Sequence, residues 1–242
     1  MNCRHMFIFV LAIVFLYGAY SVAVFWNASR ISAPLINATP PFNREDASLT
    51  KHILVLGDSL VVGVGAAPAQ TVAGRLSQSL NASVENYGRS GAKTTDLAAQ
   101  ASQAKKAVYD LVLIQIGAND VIQLRSLASA EANMDLALAE AKKKSTQVVF
   151  LMAGNIGDAP LWPWPWPYIY TKRTLDLRAR YQALALKHDA LFVDLYTRGD
   201  LFASDPTRFY AADKLHLSAD GYEKWFDVIT EEIATRWPAL AR

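Results

Sequence analysis

Four short blocks of the chain carry side chains that do nucleophilic chemistry when they are brought together. The first is Gly57-Asp58-Ser59-Leu60, which closes the apolar run HILVLG over 52–57. A serine on a tight turn after a buried strand projects its hydroxyl above the sheet edge, and Gly57 permits such a turn. The Ser59 N–H then lies near the start of the next segment, where it can donate to an oxyanion. The same tripeptide also serves as an ordinary strand-to-helix cap. The second block is Gly117-Ala118-Asn119-Asp120. An Asn side-chain amide at a strand end can donate to a developing oxyanion, although Asn and Asp favour turns in any case. The third, Asn86-Tyr87-Gly88-Arg89-Ser90-Gly91, has two glycines that either bring backbone N–H groups close to a ligand or simply form a loop. The fourth is Asp213-Lys214-Leu215-His216-Leu217-Ser218. An Asp three residues before a His falls on the same side of one helical turn. Its carboxylate would hold one ring nitrogen and leave the other facing a nucleophile, as in a catalytic triad. Alone, a D-x-x-H is more often surface decoration, and Ser218 can equally cap the last helix.

These blocks need a scaffold that brings strand ends together. HILVLG (52–57), SVENYG (83–88), YDLVLIQIG (109–117), TQVVFLMAG (146–154) and ALFVDLY (190–196) are candidate strands. Most are nearly continuous in apolar residues, as expected of a parallel sheet buried on both faces. Helical segments are expected at roughly 68–80, 95–107, 126–144, 169–188 and 218–236. Leu124, Leu127, Ala130, Met134, Leu138 and Ala141 recur at three- and four-residue steps and give one apolar face. The alternation implies right-handed βαβ units in a three-layer sandwich. In such sheets ligands bind beyond the carboxyl ends of the strands, where the first three blocks fall.

Composition narrows the field. The 242 residues carry 24 Lys and Arg against 22 Asp and Glu, a net charge of +2, with no basic block, so no nucleic-acid footprint is present. With Cys3 as the single cysteine, an intrachain disulfide framework and a cysteine-based zinc site are excluded. His5, His52, His188 and His216 show no metal-ligand spacing. The elbow G-x-S-x-G is missing, because Val61 stands where the second glycine belongs. S-x-x-K occurs at Ser48, Ser90 and Ser102, too often to mean anything. Gly63-Val64-Gly65 is misplaced for a dinucleotide loop, and there is no Walker A motif.

Taken together and in this order, GDSL, the glycine block, GAND and DKLH resemble the SGNH hydrolase family, also called GDSL esterases and lipases, over about residues 52–236. The resemblance implies a flavodoxin-like α/β/α sandwich on a five-stranded parallel sheet. It implies Ser59 as nucleophile, His216 as general base and Asp213 as its orienting acid. It also implies an oxyanion hole of Asn119 with the backbone N–H groups of Ser59 and a glycine. In the family that glycine lies typically five residues after the Asn of its block, which selects Gly91 and leaves Gly88 structural. Asp194 is then a structural residue. The expected activity is hydrolysis of an ester or thioester through an acyl-enzyme, on a lipid acyl ester or an acetylated glycan, with no metal and no cofactor. An O-acyltransferase on the same chemistry, or a non-catalytic membrane-anchored binding protein, are the alternatives. Oligomeric state is not indicated.

Phe7 to Trp26 is a run of 20 residues without a charge, FIFVLAIVFLYGAYSVAVFW. A helix of that length spans a bilayer core of about 30 Å. We expect residues 1–26 to be a transmembrane anchor, with the hydrolase domain periplasmic or extracellular; the alternative is a signal segment cleaved after Ser21-Val22-Ala23, giving a secreted protein. Residues 27–50, with Pro34, Pro40 and Pro41, read as an extended linker, so 51–242 is expected to hold the whole hydrolase domain. Trp162-Pro163-Trp164-Pro165-Trp166-Pro167-Tyr168 reads as an extended, polyproline-like segment on the side of Ser59. Its three tryptophans pack on the domain's own surface, touch the membrane interface, or form a substrate-binding wall.

Overall fold

The computed structural model describes residues 3–198, 202 and 204–240. Five strands form one parallel sheet in the order β2-β1-β3-β4-β5: β1 is Lys51–Gly57, β2 Ala82–Asn86, β3 Leu111–Gln115, β4 Val148–Leu151 and β5 Leu191–Val193. The expected strands are all present; β1 begins one residue earlier than expected, and the other four are shorter, their last residues passing into the loops at the sheet's carboxyl edge. The three central strands are almost wholly buried and mostly apolar, as a sheet covered on both faces requires.

Of the helices, α1 is Cys3–Ala38, α2 Ser59–Val62, α3 Val72–Ser79, α4 Leu97–Ala101, α5 Ala118–Ile122, α6 Leu127–Lys144, α7 Trp166–Lys187, α8 Pro206–Phe209 and α9 Ala219–Arg236. Ala130, Met134, Leu138 and Ala141 are the buried stripe of α6. Leu124, expected on that stripe, instead takes a left-handed φ of 52° and is exposed before the helix begins. Helix α9 begins after Ser218, whose side chain accepts from Gly221 N–H at 3.2 Å. That cap is what turns the chain from the DKLH block into the helix.

The N-terminal segment differs from its reading as a helix followed by a linker. Helix α1 runs on past Trp26 to Ala38, and Pro34 is accommodated inside it. The proline removes one donor from the ladder, and the helix continues on both sides of it. Beyond Ala38 the chain is extended and docked. Arg44 bridges antiparallel to Val84 through hydrogen bonds of 3.0 and 2.8 Å, and Asn86 N–H donates to Asn43 Oδ1 at 2.8 Å. These contacts cover the otherwise open edge of β2, which would be a site for unwanted pairing. Among the described residues α1 is the one helix long and apolar enough to cross a membrane. Phe7, Phe15, Leu16 and Val22 are largely exposed on it.

Two glycines at the sheet's carboxyl edge behave differently. At Gly57, with φ of 149°, a Cβ would sit 2.0 Å from the Gln115 carbonyl oxygen of the neighbouring strand. At Gly91, with φ of 79°, a Cβ would meet nothing within 4 Å. Gly57→Ala should therefore destabilise by about 3 kcal/mol or more, through strain and a backbone clash that cannot relax. Gly91→Ala should cost only its backbone conformation, about 1 kcal/mol. Thermal denaturation of the two variants checks the contrast; equal melting temperatures would contradict it.

Candidate active site

Ser59, Gly91, Asn119 and His216 line one cavity of about 560 Å³. Ser59 opens α2 directly after β1. Asp58 caps the helix, its Oδ1 accepting from Leu60 N–H at 3.0 Å. The end of β1 is clamped by Gln100, whose amide accepts from Gly57 N–H at 2.7 Å and donates to Gly57 O at 2.8 Å. As an opening helix group the Ser59 N–H has no intrahelical acceptor.

His216 joins this serine to a carboxylate. Its Nε2 lies 2.9 Å from Ser59 Oγ, and its Nδ1 lies 2.6 Å from Asp213 Oδ2. The segment that holds the pair is a turn rather than the helical turn expected. Asp213 Oδ1 accepts from the N–H groups of Leu215 at 3.1 Å and His216 at 3.0 Å. Lys214 between them takes a left-handed φ of 61°. An Asp side chain that bonds the backbone just ahead of it stabilises this geometry at the expense of a helix. The turn is pinched shut by the bridge between Tyr210 and Leu217 and by Ala211 N–H donating to His216 O at 2.8 Å.

The Asp213 side chain is fully buried. Burial alone would push its carboxyl up, but the hydrogen bond and charge of His216 overcome it. With donations from Ser32 and the His216 N–H, they hold the carboxyl well below the usual range. The carboxylate is therefore charged across the physiological range.

The other two blocks meet Ser59 through a shared support. Asp120 is buried and accepts from Thr94 N–H at 3.1 Å and Thr94 Oγ1 at 3.0 Å, tying the GAND turn to the loop that bears Gly91. Asn119 Nδ2 donates to Ala92 O at 3.0 Å, which fixes its amide. Neither the Ser59 nor the Gly91 N–H has a backbone acceptor among the described residues. Gly88 is packing: its N–H donates to Asn86 Oδ1 at 2.9 Å, and a Cβ there would lie 2.4 Å from Val61 Cγ2. Asp194 does not line the cavity; it forms a bidentate pair with Arg178 and lies within 3.2 Å of Gln182 Nε2.

Of the three tryptophans in the Trp-Pro segment, Trp162 alone lines the cavity. It is 9% exposed, donates from Nε1 to Ile156 O at 2.6 Å and meets Tyr170 edge-on at 4.8 Å. Trp164 is 75% exposed and Trp166 stacks on Tyr170 at 5.4 Å, and neither lines the cavity, so of the three readings offered for the segment the substrate wall is left to Trp162. Trp166 also begins α7, three residues before the expected helix start. The polyproline reading fails there because Pro167 sits in the first turn, where its missing N–H costs nothing. The sequence reading missed Gln100, Asp120 and Ser32 as supports. Asp120 stood inside a block already singled out, but nothing local marks Gln100 or Ser32.

A five-stranded parallel sheet with a serine, a histidine and an amide at its carboxyl edge defines a class, the α/β/α hydrolases. The GDSL-like lipase/acylhydrolase family matches residues 55–224; the chain belongs to that family and is an ester-hydrolysing enzyme. Solved structures with the same fold include an α/β hydrolase enzyme from the metagenome of Lake Arreo, Spain, at 17% identity and a TM-score of 0.63, covering 76% of this chain and 94% of that one. A G-D-S-L family lipolytic protein from Veillonella parvula DSM 2008 is 18% identical with a TM-score of 0.60, over 78% of this chain and 100% of the other. An acetylxylan esterase from Geobacillus stearothermophilus is 21% identical with a TM-score of 0.59, over 76% and 94%. No curated protein matches the chain in sequence.

Asp58, beside Ser59, gives a pH prediction. Burial pushes its carboxyl up to about 7, against the pull of the Leu60 N–H and the His216 charge and with a further push from Asp120. Because the folded state holds this proton more tightly than the unfolded state, stability from this group falls as pH rises from about 4 to about 7. Asp58→Asn removes that slope. Its melting temperature should improve relative to the parent between about pH 4 and about pH 7 and then level. Parallel curves for the two proteins would contradict the raised value.

Proposed function

We propose that the chain hydrolyses acyl esters with a sizeable apolar chain, through an acyl-enzyme on Ser59, beside the membrane in which α1 is anchored. Ser59 Oγ attacks the ester carbonyl while its proton passes to His216 Nε2. Asp213 holds the Nδ1–H and stabilises the imidazolium that forms. The N–H groups of Ser59 and Gly91 and the Asn119 amide receive the oxyanion. His216 then returns the proton to the departing alcohol oxygen or thiol sulfur. Water attacks the acyl-enzyme, His216 takes its proton, and the acid leaves with Ser59 restored. No step requires a metal or an organic cofactor.

The observation that carries this reading is the continuous run of short contacts from Ser59 Oγ through His216 to Asp213, 2.9 and 2.6 Å. The apolar part of the substrate is inferred from the cavity wall, where Phe25, Ile122, Trp162, Leu195, Phe202 and Trp225 surround the polar edge. Such an apolar wall suits an acyl chain, while Ser29, Asn155, Asp158, Arg198 and Tyr210 give the same cavity polar groups for the ester's head group. The anchor reading, with the catalytic domain on the periplasmic or extracellular side, is supported by the exposed apolar surface of α1 over residues 7–22.

Ser59→Ala or His216→Ala should lower kcat by roughly 10⁴-fold or more. Asn119→Ala should lower it by about 10²–10³ with the fold retained. Unchanged turnover in any of the three would remove that residue from the mechanism. On p-nitrophenyl esters, kcat/KM should rise from acetate to medium chains by up to about fourfold per methylene until the cavity is filled. A preference for acetate would remove the apolar substrate assignment while leaving the catalytic roles intact.

A further inference from the structure

Asp213 receives one side-chain hydrogen bond from α1, outside the residues that match the hydrolase family. Ser32, on the part of α1 beyond the apolar span, donates its hydroxyl to Asp213 Oδ2 at 2.7 Å. Phe25, Ala28, Ser29 and Ile36 share its helix face at three- and four-residue spacing, and all of them line the same cavity. Phe25 also packs at 5.9 Å on both Trp162 and Trp166. The contact is thus one element of a docked helix face rather than a stray reach of a single side chain.

An ionised carboxylate has about four acceptor positions. In Asp213 they are all used: two by backbone N–H groups at Oδ1, one by His216 Nδ1 and one by Ser32 at Oδ2. The backbone bonds fix one oxygen. Ser32 fixes the other, on the atom that faces the imidazole. Removing it leaves a buried acceptor position empty and lets the carboxylate plane rotate about the bonds to Oδ1.

We propose that Ser32 is a positioning residue for the catalytic reaction: the helix that carries the membrane segment completes the hydrogen-bond shell of Asp213 and so aligns His216. This rests on the roles given above to Ser59, Asp213 and His216. It makes full activity depend on α1 being docked, whether the chain is anchored or cleaved after Ala23, because Ser32 is retained either way. It also replaces the expectation that residues 51–242 hold the complete hydrolase: such a fragment would carry the triad with an unsupported acid.

The test uses the full chain in detergent micelles with p-nitrophenyl acetate and a medium-chain ester. Ser32→Val and Ser32→Thr have the same shape and differ in the hydroxyl. The valine variant should lower kcat about tenfold on both esters with KM within about twofold, while threonine should restore kcat to within about twofold of the parent. Asn37→Ala, at an exposed position of the same helix away from the cavity wall, should behave as the parent. In an Asp213→Asn background, adding Ser32→Val should change kcat by less than about twofold, because the residue acts through that carboxylate. Equal kcat for valine and threonine variants would overturn the proposal. So would a loss confined to KM, or full additivity with Asp213→Asn, either of which reduces Ser32 to a packing residue. Turnover that survives Ser59→Ala would instead sink the underlying mechanism, and the two failures are separable.

Discussion

A carboxyl with no solvent exposure stays ionised at neutral pH only when its oxygens are given donors or an opposite charge. In this chain that requirement organises the catalytic edge. Asp213 spends one oxygen on the backbone of its own turn, which forces Lys214 into a left-handed conformation and lifts His216 back toward Ser59. The other oxygen orients the imidazole. The turn in turn has to be closed by the Tyr210–Leu217 bridge before α9 can start after Ser218. On the facing side helices α4 and α5 brace the loops in the same way, through Gln100 at Gly57 and Asp120 at Thr94. Buried polar side chains here do not decorate the site; they set the heights and angles of the loops that form it.

A second constraint is apolar. The cavity wall holds Trp162, Phe202 and Trp225, and α1 contributes Phe25 from the end of a segment whose remaining length exposes phenylalanines and leucines. Each would be a liability in water alone. On the proposed anchor reading, the outer turns of α1 form part of the cavity and would hold its mouth beside the membrane surface. Trp164 lies against α1, its carbonyl accepting from the Tyr17 hydroxyl. Like Trp26 and Tyr168 it is strongly exposed.

The strands and the four chemical blocks were legible in the sequence because each is local. Apolar runs ended by glycine mark buried parallel strands, and GDSL, the Gly91 loop, GAND and DKLH fall just beyond strands or before the last helix. The choice of Gly91 over Gly88 rested on family spacing, and the structure gives Gly91 open space at the cavity and Gly88 a crowded packing position. What failed to show in the sequence was tertiary. Pro34 argued locally for a break in residues 27–50, yet docking of Ser29, Ser32 and Ile36 on the cavity accompanies a helix that continues to Ala38. The D-x-x-H spacing suited a helical turn, but hydrogen bonds from the backbone of its own turn to the Asp213 carboxylate select a tighter one. Three tryptophans in one segment looked equivalent, and only their positions relative to α1 and α7 separate the buried Trp162 from the exposed Trp164. Gln100 and Ser32 act over 43 and 181 residues of separation, distances at which no local pattern survives.

The central claim is that Ser59 is the covalent nucleophile and that His216 activates it. The most direct measurement is peptide mapping by mass spectrometry after exposing the full chain to an alkyl fluorophosphonate. The account predicts one phosphonyl adduct per chain, on the peptide bearing Ser59, formed in step with loss of esterase activity and greatly slowed in His216→Ala. An adduct on a different residue, or complete inhibition with Ser59 unmodified, would contradict it.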